Sequence, residues 1–196
     1  MNNLKIDGNI LDLGSSKNIN NVSNYLRSKK KFYANQIIND DDEFQIDLEQ
    51  YPNKINEKFD NILLMNVLEH IKNYKNCLLN INDLLNENGN FYGSTPFIFY
   101  IHPSPNDYFR YTKQFLVETI GENNFYNVKV KTLGTGIFCV FYSLIFNITS
   151  KIPFLNIIIF PICILLDKFI NIFSKNIKEI APLGYFFSAK KSIKSA

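Results

Sequence analysis

Tryptophan is absent from this 196-residue chain, and cysteine is scarce at three residues. Cys77, Cys139 and Cys163 each stand in apolar surroundings without paired spacing. The sequence therefore carries neither a disulfide framework nor a cysteine-based zinc site, and it fits a reducing compartment. No pattern of metal ligands is visible. Basic residues form no continuous stripe either: the net charge is +3, and the lysines are scattered apart from Lys29-Lys30-Lys31 and Lys190-Lys191. A backbone-tracking nucleic-acid surface needs more than that, so nucleic acid is not an expected partner. The amino end shows no basic segment followed by an apolar one, which leaves the cytoplasm as the expected compartment. No Gly-x-Gly-x-x-Gly follows the first apolar strand, which argues against a nicotinamide dinucleotide.

What is present reads as one α/β domain spanning residues 1–196, with an apolar share of 46%. Residues 9–13 form a short apolar run between Gly8 and Gly14, read as a buried strand ending in Asp12-Leu13-Gly14-Ser15-Ser16. In open α/β sheets a ligand lies beyond the carboxyl ends of the strands, where such a turn lets backbone approach it. A modest helix is expected over 23–30, a strand over 31–38 ending near Gln36, and a short strand over 44–48. Residues 59–65 are nearly continuous in apolar side chains, as the centre of a parallel sheet requires. Apolar residues at helical spacing from Leu68 to Leu85 predict a helix over 67–86, stopped by Asn88-Gly89. A strand over 91–95 follows, then a loop rich in proline and aromatics. Thr112 is expected to cap a helix to about Ile120 with Gly121 as its stop. An alternating strand covers 125–133 and a last strand 184–189. Strands alternating with helices imply a mostly parallel sheet.

These residues carry a resemblance. The run Asp12-Leu13-Gly14, Asp47-Leu48-Glu49 after a third strand, Phe59-Asp60 opening a fourth and Val67-Leu68-Glu69-His70 after it resemble the class I S-adenosylmethionine-dependent methyltransferases. The stretch from His102 to Thr112 is similar to a loop in a bacterial, type 11-like branch of that family, often associated with sugars or surface polysaccharide. The resemblance implies a Rossmann-like three-layer sandwich with a mostly parallel seven-stranded sheet and an antiparallel last strand. It implies S-adenosylmethionine as cofactor and methyl transfer to a hydroxyl or amine of a small-molecule or sugar acceptor. Asp12 and Gly14 would lie at the methionine end of the cofactor, with Ser16 standing where the family has a second glycine. Gln36 would face the ribose, Asp47 and Leu48 the adenine, and Asn66 the transferable methyl. The family's glycine loop is thus degenerate here, with Asn18 at the third glycine position and Gln36 in place of an acid. A non-catalytic, partner-binding member of the family is the alternative.

Within the loop, His102 is the first candidate for the base that takes a hydroxyl proton, and His70 is the second. Tyr108 and Arg110 are candidates for contacting the acceptor, although Asp107 and Arg110 also read as a local ion pair. Glu69 reads as a favourable charge at a helix N-terminus. Between Leu133 and Leu166 the single charged residue is Lys151, and Pro153 and Pro161 divide the stretch into arms. A spanning helix needs about 20 apolar residues, so the helical insertion at about 134–178 is expected to pack as a lid over the sheet. Peripheral contact with a membrane and a membrane-spanning hairpin are the other readings.

Overall fold

The computed structural model describes residues 6–15, 23, 26, 28–37, 43–174 and 176–192. Strand β1 (Asn9–Leu13) lies between β2 (Lys30–Asn35) and β4 (Phe59–Met65), both parallel to it. The short β3 (Phe44–Gln45) flanks β2, and β5 (Leu85–Pro96) flanks β4. The last strand, β7 (Gly184–Lys191), is antiparallel to both β5 and β6 (Phe125–Leu133), giving the order β3-β2-β1-β4-β5-β7-β6. This is the mostly parallel seven-stranded sheet that the resemblance implied. Its centre is dry: Ile10, Leu11, Ile62 and Leu64 have no exposed surface, and burying each such side chain contributes about 1.5–3 kcal/mol. Asn61 is buried beside them because its amide donates to the Asp7 carbonyl and its oxygen accepts from Asn90.

Several boundaries differ from the expected ones. Of the helix expected over 23–30, residues 24, 25 and 27 lie outside the described residues, and Lys30 already belongs to β2. The run over 67–86 is not one helix. A single tight turn, Leu68–His70, is followed by α1 (Tyr74–Leu84), whose N-cap is Asn73 accepting from the Asn76 amide. Strand β5 begins directly at Leu85, so Asn88-Gly89 sits inside a strand rather than ending a helix. Thr112 does cap α2 (Lys113–Glu122), but Gly121 lies within it, and the chain leaves through Asn124 in the left-handed conformation (φ 63). Asn is the non-glycine residue best suited to that role.

The insertion forms α3 (Ile137–Thr149), α4 (Pro153–Phe173) and the short α5 (Ile177–Ile180). Pro161 does not break α4, which runs unbroken for 21 residues. Helices α3 and α4 pack on each other as a hairpin, with Val140, Ser143, Cys163 and Asp167 turned inward. Asp167 accepts from the backbone amides of Phe138 and Cys139 and from the Thr135 hydroxyl, and so caps α3 from the neighbouring helix. Gly136 is required there: its φ is 156, and a Cβ would stand 2.6 Å from Asp167 Oδ1. The expected lid over the sheet is not what forms, because most of the hairpin's large apolar side chains face outward.

Candidate functional site

The parallel strands deliver their carboxyl ends to one edge, and the residues singled out in the sequence gather there. Asp12, in the last turn of β1, is 3% exposed. Burial pushes its carboxyl up to about 6, and the hydrogen bond with Ser23 and the charge of Lys31 only partly offset that. Gly14 follows with φ 77; its amide donates to the Ala34 carbonyl, and a Cβ would meet Val67 at 2.5 Å. The turn after β1 thus lies against the chain leaving β4, and no other residue type fits it. At that β4 exit Asn66 is also left-handed (φ 53), pinned to β5 by its amide to the Ser94 carbonyl and by the Ser94 hydroxyl to its side-chain oxygen. Ser16 lies outside the described residues.

Gln36 sits just past β2, exposed, and its amide donates to the Asn35 side chain. Asp47 uses Oδ1 to accept the Glu49 amide, closing a turn, while Leu48 is buried beneath it. Asn80 of α1 clamps this turn, donating to the carbonyls of Leu48 and Gln50. Strand ends therefore present, from β2 to β4, an exposed amide, a carboxylate, a buried carboxylate and an asparagine. A cationic amino-acid tail with ribose hydroxyls and an exocyclic amine matches that donor-poor series, and a Cβ-free turn leaves room for it.

The loop after β5 folds back over the same edge. The amides of Tyr108 and Phe109 donate to the Glu69 carbonyl, and Arg110 grips Asp107, with Nη2 2.7 Å from Oδ2. Asp107 also accepts the His102 amide, and these partners, Arg110 first, hold its carboxyl well below the usual carboxylate range. Glu69 itself is the residue the sequence misplaced. It is fully buried, and burial raises its carboxyl above the ordinary value, with the facing histidines opposing that. Neither of its oxygens has a well-formed hydrogen bond among the described residues, and Thr95 lies beside them in the same condition. His70 Nδ1 meets the Asn106 carbonyl, and His102 Nδ1 lies 3.2 Å from the Tyr100 carbonyl. A carbonyl only accepts, so each neutral ring carries its proton on Nδ1 and offers a lone pair at Nε2. Those Nε2 atoms lie 3.8 and 3.7 Å from Glu69 Oε1. Three acceptors converge, at separations longer than a hydrogen bond. Their ligand atoms fall within 4.8 Å of one another, a spacing that a cation could bridge.

Beside this cluster is a cavity of about 540 Å3, walled by Phe97, Phe99, Ile101 and Phe109, with Asp107 and Arg110 at its polar end and Leu144 of α3 on its far side. Tyr108 lines it as well. Sequence reasoning named Tyr108, Phe109 and Arg110 but not Phe97 or Phe99, because apolar residues in an irregular loop show no period.

Comparison with known proteins agrees with this geometry. No curated protein matches the chain. Among solved structures, the Haemonchus contortus phosphoethanolamine N-methyltransferase 2, bound to phosphomonomethylethanolamine and S-adenosylhomocysteine, superposes with a TM-score of 0.57 at 12% identity, covering 97% of this chain and 50% of that one. The chain spans half the length of that nematode protein. The [4+2]-cyclase SpnF gives 0.57 at 12% identity (97% and 76%), and an S-adenosylmethionine-dependent methyltransferase from Archaeoglobus fulgidus gives 0.54 at 13% (93% and 86%). At these identities the likeness is one of fold, and the cyclase shows that this fold hosts more than one reaction. Residues 4–127 match a family model described as a methyltransferase domain. By that match, which covers more than half of its length, the chain belongs to the methyltransferase-domain family.

Proposed function

We propose that this protein transfers the methyl group of S-adenosylmethionine to a small-molecule acceptor, a carbohydrate hydroxyl or amine being the first class to screen. The observation that carries this reading is the buried Asp12 carboxylate beside the left-handed Gly14 turn, with the left-handed Asn66 at the end of the neighbouring β4. A buried carboxylate whose desolvation Ser23 and the charge of Lys31 only partly offset gains from a further cation, and the cofactor's α-amino group is one. Gln36 would receive the ribose hydroxyls, and Asp47 would accept from the adenine amine over Leu48. Bound there, the cofactor supplies an electrophilic methyl on sulfur. The chain's own task is to align the acceptor in line with that methyl and to exclude water. For a hydroxyl acceptor, the proton released as the new O–CH3 bond forms passes to His102 Nε2, with Glu69 stabilising the imidazolium and His70 completing the cluster. Tyr108 and Arg110 would hold the acceptor in the adjoining cavity.

We assign the protein to the cytoplasm on the strength of its free thiols. The second reading, a non-catalytic family member acting as a partner-binding or membrane-binding module, is favoured by Gln36 and by the serine and asparagine in the glycine loop. Calorimetric titration with S-adenosylmethionine separates the two. Binding at roughly micromolar Kd, lost in Gly14→Val and in Asp47→Ala, is the expected result. A folded wild-type protein that gives no heat would overturn the enzymatic reading.

A further inference from the structure

Helix α4 is apolar, long and bare. Its residues Phe154–Phe173 have a mean hydropathy of 1.9, and only 11% of that stretch is buried, so it is no core helix. Side chains such as Phe154 (70% exposed), Ile157 (72%), Leu165 (63%) and Phe173 (77%) cover about half its circumference. The opposite face, with Cys163 and Asp167, meets α3. A helix that docks in a protein groove shows a narrower stripe. Charge points the same way. The hairpin's one acid, Asp167, is buried and consumed in capping α3, which leaves Lys151 at its turn and Lys168 near its base as its charges. Hydrocarbon edged by cations is complementary to an anionic lipid surface. Asn147 near the end of α3 and Ser150 and Lys151 in the turn after it resist burial in hydrocarbon, so the hairpin lies along the interface rather than entering tip first. Leu144, 47% exposed on α3, is at once part of this apolar surface and a wall of the cavity next to the Glu69 cluster. Ile101, on the same cavity, is 79% exposed.

We infer that the α3–α4 hairpin docks in the surface of an anionic bilayer, and that the acceptor is an amphiphile drawn from it, its chain against Leu144, Phe97 and Phe99 and its polar head toward Arg110. The second half rests on the methyl-transfer reading; the docking does not.

The absence of tryptophan makes the test direct. In Ile157→Trp the introduced indole is the sole one in the 196-residue chain. Its emission is expected to shift to the blue on adding phosphatidylcholine vesicles containing phosphatidylglycerol, with at least tenfold stronger partitioning than to phosphatidylcholine alone. Brominated lipids should quench it at a shallow depth. The triple variant Phe154→Glu, Ile157→Glu, Leu165→Glu, with an unchanged melting profile, should no longer float with vesicles. A wild-type protein that ignores vesicles and elutes as a dimer by light scattering would assign the face to a second copy and overturn the docking. For the acceptor, octyl glucoside below its micelle concentration is expected to bind at least tenfold more tightly than glucose, and Phe99→Asp should abolish the difference. Equal affinities would overturn the amphiphile. All of these readouts are made without S-adenosylmethionine, so failure of the methyl-transfer reading would leave them interpretable.

Discussion

Asp12 shows how one side chain sets stability against binding. Burial raises its carboxyl from 3.8 to about 6 in the folded chain, so between those values the folded state holds the extra proton. Stability therefore falls as pH rises through that window, and above it the buried charge costs about 3 kcal/mol. Asp12→Asn is expected to raise the melting temperature of the ligand-free protein by several degrees at pH 8 and by little at pH 4, while weakening S-adenosylmethionine at least tenfold. Melts at both pH values and one titration check this. Wild-type affinity should also decline below about pH 6, as the carboxylate takes up its proton. Asp12 and Gly14 were legible in the sequence because a strand, an acid and a glycine are a local pattern. Glu69 was not. Its depth comes from a turn and a loop that meet 40 residues apart in the chain, so nothing local marks it as buried. The two histidines were named singly, and only the fold reveals that they share one carboxylate.

At the scale of elements, the sequence found all seven strands, but β2 and β3 end at Asn35 and Gln45, short of the expected 38 and 48, and β5 begins early where two periods overlap. Leu84 and Leu85 continue the helical spacing of α1, yet Leu85 pairs with Phe59 in the sheet; a single apolar residue belongs equally to both patterns. The start of α1 was hidden in the same way, because the Leu68–His70 turn obeys helical spacing while lying outside the helix. Pro161 misled in the opposite sense. Read as a break, it lies on the bare side of α4, where the loss of one hydrogen bond leaves the helix intact. The hairpin instead depends on Asp167. Asp167→Ala is expected to cost about 1–2 kcal/mol of local stability and to speed amide exchange over the first turn of α3, with β1 and β4 unchanged. Exchange that rises throughout the sheet would show that the cap supports more than the hairpin.

In the whole molecule, protection should grade from the sheet outward. Amides of β1, β4 and β5 are expected to exchange most slowly, and those of the hairpin to slow markedly when anionic vesicles are added, by mass spectrometry. The order of the sheet could be had only by resemblance, since pattern identifies strands and not their neighbours. That order has a bearing on how the protein is made. Strand β6 joins the sheet solely through β7, and β7 is synthesised after the hairpin. While the ribosome is still translating the hairpin, β5 has an open edge and β6 has no neighbour to pair with. The apolar helices thus leave the ribosome before the antiparallel side of the sheet is complete, and in this chain the hairpin is on offer ahead of the final step of folding.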